Sequence, residues 1–217
     1  MMFLNKRKLQ DEILDSLDPS DPAAERSRLD LRRINSFLGN KRWLKKETER
    51  VISSAGGAWS LLEIGAGDGQ FLTSFLENER LSLTGIDLTS RPKGIPESIG
   101  WLSHDILKIS ELPHKKDQGI IVICNLILHH FNHTELLKIG KLCSAADHII
   151  IAEPSRRMMP LIMGYAAFPF LGKVTRHDMI VSICAGFRSG ELSEYFTSKK
   201  CELDDETLRG TLRCHFS

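Results

Sequence analysis

The apolar positions of the chain change period at about residue 57. Before it they recur at helical spacing. Leu31, Ile34 and Leu38 fall on one face of a helix that Asp21 can cap, with Pro22 at the first helical position and Glu25 in the first turn. Gly39 supplies a stop, and a second helix is predicted over residues 43–52, broken by Gly56-Gly57. From Trp59 onward, short apolar runs alternate with helical stretches. Strands are predicted at Trp59–Ile64, at 83–86 running into Asp87, at 99–102, at 119–124 and at 148–152. Helices are predicted at 70–77 and at His133–Cys143 between them. The run at 119–124 is apolar at almost every position, as in a strand buried on both faces. Strands that alternate with helices imply an α/β fold, a doubly wound, mostly parallel sheet. The tail reads differently: a helix at 188–196, then strands at 201–208 and Thr211–Phe216 that can pair as an antiparallel hairpin around Gly210. The expected organisation is a helical N-terminal extension (1–55) and one sheet domain (56–217), with an apolar, lid-like insertion at about 155–187.

Composition narrows the setting. A net charge of +1 over 217 residues gives no reason to expect a nucleic-acid or membrane partner. Cys124, Cys143, Cys184, Cys201 and Cys214 are an odd, scattered set without a CxxC pair, so reduced thiols in a cytoplasmic protein fit best. The stretch from Met1 to Leu4 is too short for a signal peptide. The apolar run at 158–171 contains Pro160, Gly164 and Pro169 and falls short of the roughly 20 residues needed to span a bilayer.

The strongest chemical signal is Glu63-Ile64-Gly65-Ala66-Gly67-Asp68-Gly69, glycine at alternate positions between a predicted strand and a predicted helix. Such a bend tolerates positive φ and lets a ligand lie against the backbone. A dinucleotide fingerprint starting at Gly65 would need glycine where the chain has Gln70. The pattern instead resembles motif I of the class I S-adenosylmethionine (SAM)-dependent methyltransferases, a Rossmann-like fold. That resemblance implies that Glu63 anchors the amino end of the methionine part of SAM, and that Gly65, Ala66, Gly67 and Gly69 lie against it. Asp87, with Leu88 after it, resembles the acid of motif II that holds the ribose hydroxyls. Asp105 and Ile106 stand where the family places residues beside the adenine. Asn125, at the end of the fourth strand, would sit by the cofactor, and the whole segment from Ile120 to Phe131 resembles the motif IV region of small-molecule methyltransferases of quinone biosynthesis. Basic residues on the N-terminal helices contact the SAM carboxylate in some relatives, which makes Arg42 a candidate.

The acceptor side is less determined. Methyl transfer needs alignment of the acceptor and, for a hydroxyl, removal of a proton, which histidine can accept near neutral pH. His129 and His130 border the expected pocket, and His177 beside Asp178 is a further candidate base. Arg156, Tyr165, Phe168 and Phe170 could meet the substrate, as could His130 and His177. The layout through Arg176-His177-Asp178 also resembles methyltransferases that accompany polyketide enzymes. The expected reaction is methylation of a phenolic, quinone-like or polyketide hydroxyl, giving S-adenosylhomocysteine (SAH). An RNA or protein acceptor, or a non-catalytic SAM-binding protein, is the alternative. No carboxylate cluster stands near these residues in sequence, so no metal is expected.

Overall fold

The computed structural model describes residues 4–18 and 20–217, so the reading of Met1, Met2 and Phe3 lies outside the described residues. Seven helices and seven strands are seen among them: α1 Ile13–Ser16, α2 Pro22–Leu38, α3 Asn40–Ala55, β1 Trp59–Ile64, α4 Gln70–Thr73, β2 Leu81–Asp87, β3 Gly100–Ser103, β4 Gly119–Asn125, α5 His133–Cys143, β5 His148–Pro154, α6 Met158–Ala167, α7 Lys173–Ala185, β6 Cys201–Glu206 and β7 Thr211–Phe216. The strands form one sheet in the order β3-β2-β1-β4-β5-β7-β6, parallel except where β7 pairs with β5 and with β6.

Chain chemistry explains the elements. Asp21 caps α2 by accepting the Ala23 N–H at 2.7 Å, and Gly39 ends it at φ 69°. All six residues of β1 are buried, because helices cover both faces of the sheet. On one face Leu61, Ile121, Ile123, Ile150 and Ala152 pack beneath Leu44, Val51 and Ile52 of α3 and Phe71 and Leu72 of α4. On the other, Leu62, Ile64, Val122, Cys124, Ile149 and Ile151 pack beneath Leu136, Ile139 and Cys143 of α5. β1 and β4 are neighbours although β2 and β3 intervene in sequence, so the crossovers leave them in opposite directions. The crevice this opens at the carboxyl ends of β1 and β4 is where open α/β sheets bind ligands.

Two expectations are corrected. The helix at 70–77 stops at Thr73, where the Thr73 and Ser74 hydroxyls bond back to the Gln70 and Phe71 carbonyls and compete with the helical ladder. The helix at 188–196 is a turn with only a 3-10 segment at Leu192–Glu194, because the chain is held through Glu191 and lies flat on α5. A Cβ on Gly140 of α5 would stand 1.9 Å from the Tyr195 carbonyl oxygen. Gly140→Ala is therefore expected to destabilise the protein by about 1–3 kcal/mol, as forced overpacking does, with no effect on the crevice. Urea unfolding measures it. The candidate base His177 lies inside α7.

The N-terminal residues form a strap across α7. The Lys8 N–H donates to the Cys184 carbonyl at 3.1 Å, and the Ile13 and Leu14 N–H groups donate to the buried Asp178 carboxylate at 2.8 and 3.0 Å. Arg7 donates to the carbonyls of Ala185 and Phe131 at 2.8 and 3.0 Å. No described helix is long and apolar enough to cross a membrane.

Candidate active site

Gly65, Gly67 and Gly69 have φ of 71°, 54° and 67°, a region L side chains rarely adopt. The bend is tied to β2 by the Gly65 and Ala66 N–H groups, which both donate to the Ile86 carbonyl at 2.8 and 3.2 Å. Asp87 stands directly against it. One carboxylate oxygen accepts the Gly67 N–H at 2.8 Å, and the other accepts the Thr89 N–H and hydroxyl at 2.9 and 2.8 Å. Two sequence motifs are thus brought together at the crevice. A Cβ on Gly65 would meet Ile127 at 2.6 Å, whereas a Cβ on Gly67 would meet no atom within 4 Å. The first glycine serves packing and the second faces open space.

Buried polar atoms lie along the end of the sheet that carries the bend. Glu63 is 3% exposed, and its Oε2 has no hydrogen-bond partner. Burial pushes its carboxyl well above the ordinary value; Lys41 opposes this, and Asp68 and Asp87 add to it. Asn125 Oδ1, Thr211 Oγ1 and both amide atoms of Asn40 are also buried without a partner. Strand alternation puts Glu63, Asn125 and Thr211 on the sheet face that α3 covers, and Asn40 is the first residue of α3. Leaving such a group unsatisfied costs about 1–3 kcal/mol, so a cluster at one end of the sheet fits a polar ligand. The basic residue here is Lys41, 3.9 Å from Asp68. Arg42, the candidate from sequence, is exposed one position further round α3. Helix rotation decides between neighbours that sequence cannot separate.

The remaining cofactor candidates divide. Asp105 caps a 3-10 turn by accepting the Leu107 N–H at 2.9 Å, with Lys108 at 3.7 Å. Ile106 is buried with Ile64, Ile86 and Val122, and Leu88 is 77% exposed.

Beyond Asn125 the chain turns through Leu126, at φ 56°, into Leu128–His130. Glu153 organises this turn. Fully buried, its carboxylate accepts the N–H groups of Ile127, Leu128 and His129 at 2.8, 2.7 and 3.3 Å, and His129 Nδ1 lies 2.7 Å away. His129 Nε2 lies 3.6 Å from Glu12 of the strap, which also accepts the Ser182 hydroxyl. Burial alone would lower the His129 pKa, but Glu153 and Glu12 outweigh it and push it up to about 9. Burial and the neighbouring His129 hold His130 below its ordinary value, against Glu12, Asp15 and Glu153. The two rings are 4.2 Å apart at their centroids. They open onto a cleft of about 480 Å³ whose other walls include Asp11, Glu12, Asp15 and Val181. Sequence reading missed both Glu12 and the organising part of Glu153. For Glu153 a signal existed: one carboxylate inside an otherwise apolar buried strand must find donors.

His177, Arg156 and Tyr165 do not line this cleft. His177 is half exposed and lies 2.9 Å from Asp178, whose carboxylate is committed to the start of α1. Arg156 is corrected outright. Its guanidinium is 1% exposed and spent on both Glu191 oxygens and the Gly186 and Leu4 carbonyls, so it holds the fold and cannot reach a substrate. Tyr165 is exposed on α6 and meets Phe168 at a tilted 5.0 Å between ring centroids, and Phe170 is 77% exposed.

No protein-family model and no curated protein matches the chain. Solved structures do. The plantazolicin methyltransferase BpumL, in complex with a pentazolic desmethylPZN analog and SAH, superposes with a TM-score of 0.65 at 16% identity over 91% of each chain. The pyocyanin biosynthetic protein PhzM gives 0.56 at 16% identity, over 91% of this chain and 59% of that one. The methyltransferase domain of a bacterial Hen1, CtHen1-CN, gives 0.54 at 16% identity over 83% and 99%. Strand order, the antiparallel β7, the glycine bend against Asp87 and these superpositions together give the chain the class I SAM-dependent methyltransferase fold.

Proposed function

We propose that the chain is a SAM-dependent methyltransferase acting on a hydroxyl of a small, largely apolar molecule. The observation that carries this is the open space over Gly67, bounded by the Asp87 carboxylate and by the unpartnered Glu63 and Asn125 oxygens. Asp87 suits a ribose diol, Glu63 with Asn125 the methionine amino group, and Lys41 with Asn40 the methionine carboxylate. Gly65, Ala66, Gly67 and Gly69 form the surface beneath them. SAM supplies an activated methyl: its C–S bond breaks as an O–C bond to the acceptor forms, the electron pair stays on sulfur, and the hydroxyl proton leaves. The protein's own task is alignment and handling of that proton.

The acceptor belongs at the cleft beside His129 and His130. The turn that carries them starts at Asn125 and touches Gly65 through Ile127, so cofactor and acceptor sides share one rigid segment. Leu9, Val181 and Ala185 on the cleft wall give an apolar acceptor a surface to pack against.

Calorimetry against SAM, SAH and NAD tests the reading. SAH is expected to bind and NAD is not. Asp87→Ala is expected to weaken SAH roughly 10- to 100-fold through loss of charge-assisted hydrogen bonds of about 1.5–3 kcal/mol. Binding of NAD alone would overturn the assignment.

A further inference from the structure

Glu12, His129 and His130 each offer a ligand atom, and these atoms all lie within 4.8 Å of one another. One residue comes from the strap and two from the turn after β4, so only the folded chain brings them together. The expectation of no metal rested on the lack of a carboxylate cluster near these residues in sequence; the strap brings Glu12 to the histidines from a distance.

The surroundings are those of a metal-binding imidazole. His129 Nδ1 is 2.7 Å from the buried Glu153 carboxylate, which holds a proton on that nitrogen and turns Nε2 toward Glu12, where an ion would displace the Nε2 proton. Carboxylate–histidine pairs of this kind orient and strengthen metal-ligating histidines. Nε2 and the Glu12 oxygen are 3.6 Å apart. That is long for a hydrogen bond, but close to the edge of about 3.3–3.5 Å between two ligands each roughly 2.0–2.1 Å from a tetrahedral ion. Both carboxylates are themselves held, Glu12 by the Ser182 hydroxyl and Glu153 by three backbone N–H groups. His130 is open to the cleft, with 31% of its side chain exposed, and Asp15 adds negative charge 4.0 Å from it.

We propose that Glu12, His129 and His130 bind one divalent transition-metal ion, with a coordination position left open to the cleft. Two imidazoles and one carboxylate favour a zinc-like ion over magnesium or calcium, which take oxygen ligands. Three protein ligands with a fourth position free is the arrangement of a catalytic rather than a structural site. An ion there lowers the pKa of a hydroxyl placed in the cleft, so the proton leaves to solvent and the oxygen is ready for alkylation. This use of the ion rests on the methyltransferase reading; its binding does not.

The test is titration of chelator-treated full-length protein with Zn²⁺ alone and with Co²⁺ alone, by calorimetry and visible absorption. One ion per chain is expected, with ligand-field bands for Co²⁺. His130→Ala, at the most exposed of the three positions, is expected to weaken uptake roughly 10- to 100-fold or more, and Glu12→Gln and His129→Ala likewise. Circular dichroism and SAH binding on the same samples report whether each variant remains folded. Failure of the wild-type protein to take up either ion overturns the proposal, as does uptake that survives all three substitutions. SAH binding without metal uptake would sink the ion alone, and metal uptake without SAH binding would sink the methyltransferase reading alone.

Discussion

Gly67→Val is expected to abolish detectable SAH binding while the protein remains folded. Valine at φ 54° carries the left-handed penalty of about 1–2 kcal/mol, a fall in melting temperature of roughly 2–8 °C for a chain of this size. Beyond that backbone penalty no other part of the protein crowds the position, since no atom outside the adjacent residues lies within 4 Å of its Cβ. The ligand does resist it, because the added methyl groups fill the space between the bend and Asp87. Displacing or tilting the bound molecule by that volume is expected to cost about 3 kcal/mol or more, near or above 100-fold in affinity. Gly65→Val is the informative contrast. Its Cβ lies 2.6 Å from Ile127, so the substitution pushes on the turn toward His129 and lowers stability together with binding. Thermal melts with and without SAH separate the two. A Gly67→Val protein that binds SAH as the wild type does would remove the bend from the cofactor site.

The second large effect is expected at Glu153. Glu153→Ala removes the acceptor for three backbone N–H groups and the partner of a buried histidine in one step. Breaking a buried pair from one side costs about 3–5 kcal/mol, so the melting temperature is expected to fall by roughly 6–20 °C. The loss should be local in origin. Leu126 keeps its N–H bond to the Ala152 carbonyl, so β4 and β5 stay paired while residues 127–130 lose their register. Hydrogen exchange of Ile127, Leu128 and His129 against that of Ile121–Cys124 would show it. Equal protection in variant and wild type would mean that the turn is held by packing alone.

The sheet was legible because its strands announce themselves chemically. A six-residue strand such as Trp59–Ile64, buried throughout, has few other ways to be satisfied, and the Asp21-Pro22 start of α2 is specified by local capping. The glycine bend was legible for the same local reason. What escaped reading depends on contacts between distant parts of the chain. Glu12 lies in a segment with little apolar content, and its meeting with His129 is set by how Asp178 and Cys184 hold the strap. Arg156 looked available because arginine after a strand end often meets ligands, yet Glu191 and two carbonyls claim it. His177 and Asp178 are adjacent in sequence, but the acid accepts from the backbone of α1. Lys41 and Arg42 are neighbours on one helix, and only the rotation of α3 decides which faces the bend.

The two margins of the sheet bear on how the protein behaves when crowded. An unpaired strand is a template on which another chain can add, and aggregation often begins there. On one side β3 offers only the four residues from Gly100 to Ser103, too little for a stable register. On the other, β6 carries Glu202, Asp204, Asp205 and Glu206 in a six-residue strand. A second copy laid alongside would set like charges against each other. The active crevice can therefore remain open at the carboxyl ends of the strands without exposing a sticky border to the next molecule.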